Sequence, residues 1–222
     1  MNINEQNILI IQTAFIGDVI LTTPIIEILT KEYPGVKIDF LTIPKSKNLL
    51  ESNPNINNLI LFDKRKQDRG LKGLVRIGNT LEENHYDICI TPHRSLRSAI
   101  LTWKTQANIR VGFNRTAWKK AFTHMVTYDE NIHEIDRNLS LLREIGINKQ
   151  KILPYIYSTD EDKEKVERVL NELQDSQNRH PFAVAPGSIW PTKRWPENYY
   201  IKFCQLVEEK GIRVVSLTPL TN

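Results

Sequence analysis

Cysteine is scarce in this chain, which has two among its 222 residues. Cys89 falls in a predicted strand and Cys204 in a predicted helix, so we expect reduced core residues of a cytosolic protein rather than a disulfide framework. Long apolar runs are missing too. Without eighteen consecutive apolar residues, a membrane-spanning helix is not expected. The opening MNINEQNILIIQ lacks a basic segment followed by a long apolar core, so no signal peptide is expected either.

Metal-ligand patterns are also lacking among the five histidines. None pairs with another at i, i+4 or with a Cys or Asp pattern typical of zinc sites, so we expect neither metal nor cofactor. Charged residues make up 25% of the chain, as in ordinary globular proteins, and the formal net charge is +4. This mild excess suits an anionic partner, such as a phosphorylated ligand or an acidic membrane surface. Nucleic acid is not expected, because no dense Lys/Arg stripe is interleaved with aromatic residues.

The order of apolar and amphipathic segments predicts an α/β fold. Short apolar runs alternate with helix-like periodicity, which is typical of a doubly wound parallel sheet. The strands predicted for a first unit cover residues 8–11, 37–42, 58–62, 86–91 and 108–112. Residues 113–127 are expected to form an irregular loop, and a helix over 133–145 should end at Gly146. A second unit is predicted from helices over 161–173 and 197–210 and strands over 182–185 and 213–217.

The first strand leads into Gly17 and Asp18, just before a helical pattern that starts near Val19. Glycine allows a sharp turn, and aspartate is favoured at helix starts. The carboxylate is therefore expected above the carboxyl edge of the sheet, where open α/β folds bind ligands. The alternative is that Asp18 serves only as an N-cap. Pro24, inside the helical pattern, should kink the helix or mark a late start.

A second candidate site follows the first strand of the second unit, in the segment PGSIWPTKRWP over residues 186–196. Gly187 and Ser188 can offer backbone N–H groups and a hydroxyl to a phosphate. Lys193 and Arg194 can neutralise a diphosphate, the arginine through two parallel hydrogen bonds. The alternative is a solvated loop in which Trp195 is a packing anchor.

Three segments together carry a family resemblance: ILIIQTAFIGDVILTTPII, YDICITPHRSLRSAI and APGSIWPTKRWP. They resemble the ADP-heptose:lipopolysaccharide heptosyltransferases of glycosyltransferase family nine, and within it the heptosyltransferase II branch, over residues 8–215. The resemblance implies a GT-B architecture of two Rossmann-like domains. It implies an acceptor-binding N-terminal domain over residues 1–158. Residues 159–222 would then form a connector helix and the start of a truncated domain that binds the nucleotide-sugar.

The resemblance also implies roles for individual residues. The family's catalytic aspartate falls on Asp18, as general base of an inverting, metal-independent transfer of heptose from ADP-heptose to the lipopolysaccharide inner core. The donor-binding motif falls on Gly187, Ser188, Lys193 and Arg194. Such an acceptor carries acidic sugars and phosphates, which basic residues can meet. The expected acceptor contacts are Gly17, Arg94, Ser95 and Arg97, with Lys64, Arg65 and Arg137 as further basic candidates. For each basic residue the alternative is a solvated surface charge.

The family pattern continues past its second C-terminal strand with an Asp-x-Gly-x-x-His element that grips the donor, whereas here Val215 is followed by SLTPLTN. Two interpretations stay open: an active heptosyltransferase, or a truncated, inactive remnant that at most binds acceptor or phosphate. A member of the family that uses another nucleotide-sugar is a third. The expected location is the cytoplasm, peripherally at the inner face of the inner membrane. No oligomeric state is indicated.

Overall fold

The computed structural model describes residues 6–148, 152–173, 181–188 and 191–217. The chain divides into two compact units, Met1–Tyr157 and Ser158–Asn222, and each is described by itself. The strands of the larger unit are β1 Asn7–Ile11, β2 Lys37–Thr42, β3 Asn58–Leu61, β4 Ile88–Thr91, β5 Ile109–Phe113 and β6 His124–Val126. They form one sheet in the order β3-β2-β1-β4-β5-β6, and every neighbouring pair is parallel. The predicted α/β class with a parallel sheet is confirmed.

Helices cover both faces of this sheet. The α-helices described for the unit are α1 Ile16–Ile20, α2 Thr23–Glu32, α3 Lys47–Leu50, α4 Gly70–Glu83, α5 Leu96–Lys104 and α6 Glu134–Ser140. Apolar side chains of α2 and α6 share one core cluster, and those of α4 and α5 share another. The sheet is therefore the middle layer of three, as the predicted doubly wound arrangement requires.

The central strand β1 shows why its sequence is continuously apolar. Ile8 and Ile10 belong to the core on the α2 side, whereas Leu9 and Ile11 belong to the core on the α4 side. Successive side chains of a strand point to opposite faces, so a strand covered on both faces needs apolar residues throughout. All four are fully buried, and each contributes about 1.5–3 kcal/mol by leaving water.

The sixth strand is a correction to the sequence interpretation. Residues 113–127 were expected to be irregular, but β6 lies within them and pairs with β5, with Val111 opposite His124 and Phe113 opposite Val126. The strand has three residues at the edge of the sheet, and its central Met125 is exposed. Such a short, half-exposed edge strand carries no alternating or continuous apolar pattern, so periodicity cannot reveal it.

Two helix boundaries follow from single residues. Pro24 occupies the first turn of α2, where its missing N–H costs nothing, and the short helix α1 ends before it. The predicted late start is thus confirmed. The helix predicted over 133–145 is α6 followed by a 3-10 turn at Leu141–Ile145, and Gly146 closes it at φ 84°. That left-handed conformation suits glycine, because an L side chain is strained there.

The smaller unit contains α7 Asp160–Leu173, β7 Phe182–Val184, α8 Glu197–Glu208 and β8 Val214–Ser216. Its two strands are parallel, with Ala183 opposite Val215. The Phe182 ring meets Phe203 of α8 at 5.4 Å between centroids. This strand, helix, strand order confirms the elements predicted for the second unit.

Candidate active site

A topological switch point lies between β1 and its neighbour β4. The chain leaves β1 toward α2 on one face of the sheet and leaves β4 toward α5 on the other. The two connections diverge and open a crevice at the carboxyl ends of the strands, the usual ligand site of open α/β sheets. Asp18 follows β1 and the segment His93 to Ser95 follows β4, so the topology brings them to the same crevice.

Asp18 is the third residue of α1 and is half-buried. Its Oδ2 accepts a hydrogen bond from the Phe15 N–H at 3.0 Å. The N-cap position itself belongs to Phe15, so Asp18 satisfies an N-terminal donor from within the first turn rather than as the N-cap residue. Among the described residues, no hydrogen bond to its other oxygen, Oδ1, is present. One carboxylate oxygen therefore fixes the side chain while the other is available.

Gly17 precedes Asp18 inside α1, and its backbone does not require glycine. Its φ lies outside the left-handed region, and an added Cβ would meet no atom within 4 Å. The expected sharp turn is therefore not the reason for glycine here. Gly17 is exposed, and the space around its Cα is open.

A group of hydroxyls surrounds the ring of His93 at the same edge. Nδ1 of His93 lies 2.9 Å from Thr13 Oγ1, 2.9 Å from Ser98 Oγ and 3.4 Å from Ser95 Oγ. The pKa of His93 is lowered to about 4, mainly by burial and also by the positive charges of Lys64 and Arg94, while the charge of Asp18 acts in the opposite direction. At neutral pH the ring is thus an uncharged hydrogen-bonding group that links the connections after β1 and β4.

Basic side chains line the crevice from two further segments. Lys64, which follows β3, donates from Nζ to the backbone oxygen of Thr13 at 2.8 Å. Burial lowers its pKa, and the positive charges of Arg97 and Arg65 act in the same direction. Arg97 is exposed on the first turn of α5. These like charges lie close enough to affect one another, which makes the edge electropositive.

Arg94 and Ser95 have distinct environments. Arg94 is exposed, and its guanidinium carbon lies 3.9 Å from the centre of the Tyr128 ring. Ser95 is the N-cap of α5, and its hydroxyl accepts the Ser98 N–H at 3.2 Å. A capping serine of this kind stabilises the helix by about 1 kcal/mol. Ser95 therefore has a structural role in addition to its place at the crevice.

Arg137 does not fit the expectation of a basic surface contact. It is 7% exposed. Its guanidinium donates to the backbone oxygens of Asp129 and Ile132 and to the Tyr128 hydroxyl, and it pairs with Glu134. The sequence could not reveal this, because an arginine inside a helical pattern looks the same whether its head group faces water or a loop.

The sequence interpretation missed two residues of this edge, Thr13 and His93. The signal available for His93 was its position directly after the apolar run ICIT, where side chains of a parallel sheet reach the ligand edge. Tests for metal-ligand spacing could not find it, because its partners are hydroxyls from distant parts of the chain.

In the smaller unit, the segment after β7 folds back on itself. Arg194 donates from Nε to the backbone oxygen of Ser188 at 2.6 Å. Lys193 ends a 3-10 turn and is exposed, as is Gly187. Residues 189 and 190 of this motif lie outside the described residues. The hydrogen bond brings the two ends of the predicted phosphate-binding motif together.

Trp195 packs against α8, as the alternative interpretation of this segment expects. Its ring stacks on Tyr199 at 5.6 Å with an interplanar angle of 19°, and it meets Tyr200 and Phe203 edge-on. It fixes the motif to α8 without covering Lys193, which stays exposed. The packing and the phosphate-binding interpretations of this segment are therefore compatible.

The described ranges are 6–148, 152–173, 181–188 and 191–217. Within them, no group of three or more His, Cys, Asp or Glu side chains is arranged to hold a metal ion. Within the same ranges, no helix has the length and apolar character needed to cross a membrane.

Residues 74–219 match the family described as "Glycosyltransferase family 9 (heptosyltransferase)". Over 212 residues the chain is 28% identical to "Lipopolysaccharide heptosyltransferase 3" of Escherichia coli (strain K12), an alignment that covers 90% of this chain and 59% of that protein. The chain thus spans about three fifths of the length of this curated relative.

The chain is also similar to solved structures of glycosyltransferases. The glycosyl transferase family 9 protein from Veillonella parvula DSM 2008 matches with a TM-score of 0.86 at 25% identity, over 97% of this chain and 64% of that one. The E. coli ADP-heptose lps heptosyltransferase II matches with a TM-score of 0.76 at 20% identity, over 95% and 63%. At 20% identity the likeness concerns the fold alone. Together these matches confirm the predicted GT-B type fold class for the part of the fold that this chain spans.

Proposed function

The chain belongs to glycosyltransferase family 9, as its motifs predicted, and on that premise we propose that it transfers heptose from ADP-heptose to the lipopolysaccharide inner core, with Asp18 as general base. The observation that carries this proposal is the position of Asp18. Its carboxylate lies at the switch point of the larger unit, held through Oδ2, with Oδ1 unbonded among the described residues. A base at a ligand crevice needs such a free oxygen.

The chemistry requires a proton acceptor because a sugar hydroxyl is a weak nucleophile. We infer that Asp18 accepts the proton of the acceptor hydroxyl as its oxygen attacks the anomeric carbon. The bond from that carbon to the ADP oxygen breaks on the opposite face, so the anomeric configuration inverts. A positioned general base typically contributes about 10²–10⁴-fold in rate.

Acceptor binding is assigned to the electropositive edge of the larger unit. Arg94 and Arg97 are exposed there, and Lys64 lies partly buried behind them. Phosphates and sugar carboxylates are the anions that guanidinium groups bind best, because the planar fork matches two oxygens. The positive charge there favours an anionic glycolipid over a neutral glycan. Since that acceptor is a membrane lipid, we expect the protein to work at the inner face of the inner membrane.

Donor binding is assigned to the smaller unit. Gly187 and Ser188 precede the 3-10 turn that ends at Lys193, and the backbone oxygen of Ser188 accepts a hydrogen bond from Arg194. The exposed Lys193 ammonium can stabilise the charge that develops on the leaving ADP. Arg194 closes the segment through the Ser188 backbone oxygen. We propose Lys193 as the contact to the diphosphate and Arg194 mainly as the residue that shapes the segment.

The test is a transfer assay on the 222-residue chain with ADP-heptose and a heptosyl-Kdo acceptor. ADP release and the mass of the product are measured together. The variant Asp18→Asn keeps the size of the side chain and its bond to Phe15, and removes the base. We expect kcat to fall about 10²–10⁴-fold, with little change in the KM for the acceptor. Glu83→Gln is the matched control, an exposed acid at the far end of α4.

Three outcomes separate the interpretations. Undiminished turnover in Asp18→Asn would remove Asp18 as the base. Product formed only with another nucleotide-sugar would replace the proposed donor. Acceptor binding without turnover in the unaltered chain would favour the alternative, a chain that binds acceptor or phosphate without catalysing transfer.

A further inference from the structure

Three arginine side chains lie around the ring of Tyr128. Their guanidinium carbons lie 3.9 Å from the ring centre for Arg94, 4.3 Å for Arg137 and 6.0 Å for Arg115. The edge of the Phe113 ring contacts it at 5.2 Å, nearly perpendicular. A cation over an aromatic face is attracted by the ring quadrupole, so Tyr128 can hold an arginine without neutralising it.

Tyr128 itself is held from the interior. Its hydroxyl accepts a hydrogen bond from Arg137 at 2.7 Å, and its backbone N–H donates to the Asn114 side chain at 3.0 Å. Arg137 is buried and is fixed by the backbone oxygen of Asp129 at 2.7 Å and by its pair with Glu134. The ring is therefore a rigid platform, because both ends of the residue are bonded to ordered groups.

The three arginines differ in how their charge is balanced. Arg137 pairs with Glu134, and Arg115 pairs with Glu130. Among the described residues, the Arg94 guanidinium forms no ion pair and donates no hydrogen bond. Its main chain is fixed, since its backbone oxygen accepts the Ala117 N–H at 3.2 Å. Arg94 is thus an exposed cation whose donors face no acceptor within the described part of the chain.

An arginine held in this way is prepared for an oxyanion. Binding normally costs the freedom of each side chain that it immobilises, and a guanidinium already resting on a ring has less freedom to lose. All of its N–H donors lie in the guanidinium plane, so contact with a ring face leaves them free for two oxygens of a carboxylate or phosphate. Tyr128 also lines a cavity of about 720 Å³, together with Arg115, Asp129, Glu130 and Asn131. That volume is in the range of ligand pockets.

We propose that Tyr128 is a positioning residue that holds Arg94 to bind an oxyanion of the acceptor saccharide, a carboxylate or a phosphate, with the adjoining sugar beside the ring. This rests on the proposed function for the identity of the acceptor. It adds a residue that acts through Arg94 rather than by touching the reacting atoms. The role of the ring is to lower the cost of binding an anion, so its loss should affect acceptor binding rather than the chemical step.

The experiment measures acceptor binding without ADP-heptose, by calorimetry on the full chain, so it does not depend on turnover. Tyr128→Leu removes the ring and should weaken binding about 3- to 10-fold, the range of a partly exposed cation–π contact. Tyr128→Phe keeps the ring and should bind nearly as well as the unaltered chain. Arg94→Gln should lose at least as much as Tyr128→Leu, and the double variant should bind no more weakly than Arg94→Gln alone.

Additive losses in the double variant would overturn the proposal, because they would mean that Tyr128 does not act through Arg94. Three acceptors show whether Arg94 binds the carboxylate or the phosphate. One carries both groups, one has the carboxylate reduced to an alcohol, and one lacks the phosphate. The acceptor that lacks the relevant oxyanion should bind Arg94→Gln and the unaltered chain equally. If all three acceptors discriminate the two proteins by the same factor, Arg94 does not read an oxyanion.

Tyr128→Leu can lower stability, because Tyr128 also packs against the core. A measurement on the unaltered chain covers this case. The ring current of Tyr128 should move the NMR resonances of the Arg94 side chain upfield, and Tyr128→Phe should retain that shift. Arg94 resonances at ordinary positions would refute a stacked guanidinium and with it the proposal.

Discussion

His93 should titrate far below an ordinary histidine. Three hydroxyls, from Thr13, Ser95 and Ser98, meet its Nδ1, and burial is the main cause of a pKa of about 4 instead of 6.5. Lys64 and Arg94 lower the pKa further, and only Asp18 opposes them. The direct assay is an NMR titration of the imidazole carbon-bound protons. A midpoint near 6.5 would refute the conclusion that burial and the two cations dominate.

The lowered pKa has a consequence for stability. In the unfolded chain His93 binds its proton near pH 6.5, whereas in the folded chain it does so only near pH 4. The unfolded state therefore binds more protons between these values, and stability falls as the pH falls from about 6.5 to about 4. The full loss is about 3 kcal/mol, and about 2 kcal/mol of it appears between pH 7 and pH 5.

Urea unfolding at pH 7 and pH 5 measures this loss in the larger unit. His93→Gln cannot take up the proton. Its loss of unfolding free energy between pH 7 and pH 5 should therefore be about 2 kcal/mol smaller than that of the unaltered chain. His85→Asn is the control for removing an exposed histidine, because asparagine tolerates the positive φ of 49° at that position. An equal pH dependence in the unaltered chain and His93→Gln would contradict the linkage.

Two further predictions concern packing and a buried carboxylate. In Gly112→Ala the new Cβ would lie 2.3 Å from a ring carbon of Phe122, so overpacking should lower the free energy of unfolding of the larger unit by about 1–3 kcal/mol, measured in urea. The control is Gly17→Ala, whose new Cβ would have no atom within 4 Å. Equal stabilities of the two variants would show that the Phe122 ring moves aside at no cost. Tyr86→Phe removes the hydroxyl that donates to the buried Asp39 carboxylate at 2.7 Å, and the same measurement should show a loss of about 1.5–3 kcal/mol. A loss below about 0.5 kcal/mol would mean that the two Asn57 and Asn58 side chains satisfy Asp39 alone.

The fold was predictable from the sequence where a physical constraint applies to residues that are adjacent in the chain. A strand covered on both faces must be apolar throughout, which made β1 visible as ILII. Pro24 and Gly146 marked a helix start and a helix end because each restricts or frees the backbone locally. The strand β6 was missed because it depends on its partner β5 for every hydrogen bond and has no pattern of its own.

The candidate site was predictable to the extent that topology fixes it. A parallel sheet brings the ends of its strands to one edge, so Asp18, Arg94 and Arg97 could be assigned to a crevice from their positions after strands. The environment of those residues was not predictable. Thr13 and His93 are 80 positions apart in sequence, and only the folded structure brings them to 2.9 Å. The sequence also gives no sign that Arg137 is buried and Arg94 exposed, since both follow ordinary helix or loop patterns.

Positive charge accumulates at the crevice of the larger unit. Lys64 has a lowered pKa because it is buried beside Arg97 and Arg65, and His93 stays neutral partly because Lys64 and Arg94 are near. Like charges held together destabilise the folded chain, and a fold tolerates this cost where a ligand relieves it. The mutual repulsion of Lys64, Arg65 and Arg97 is therefore an argument for an anionic acceptor, because a bound carboxylate or phosphate would offset it.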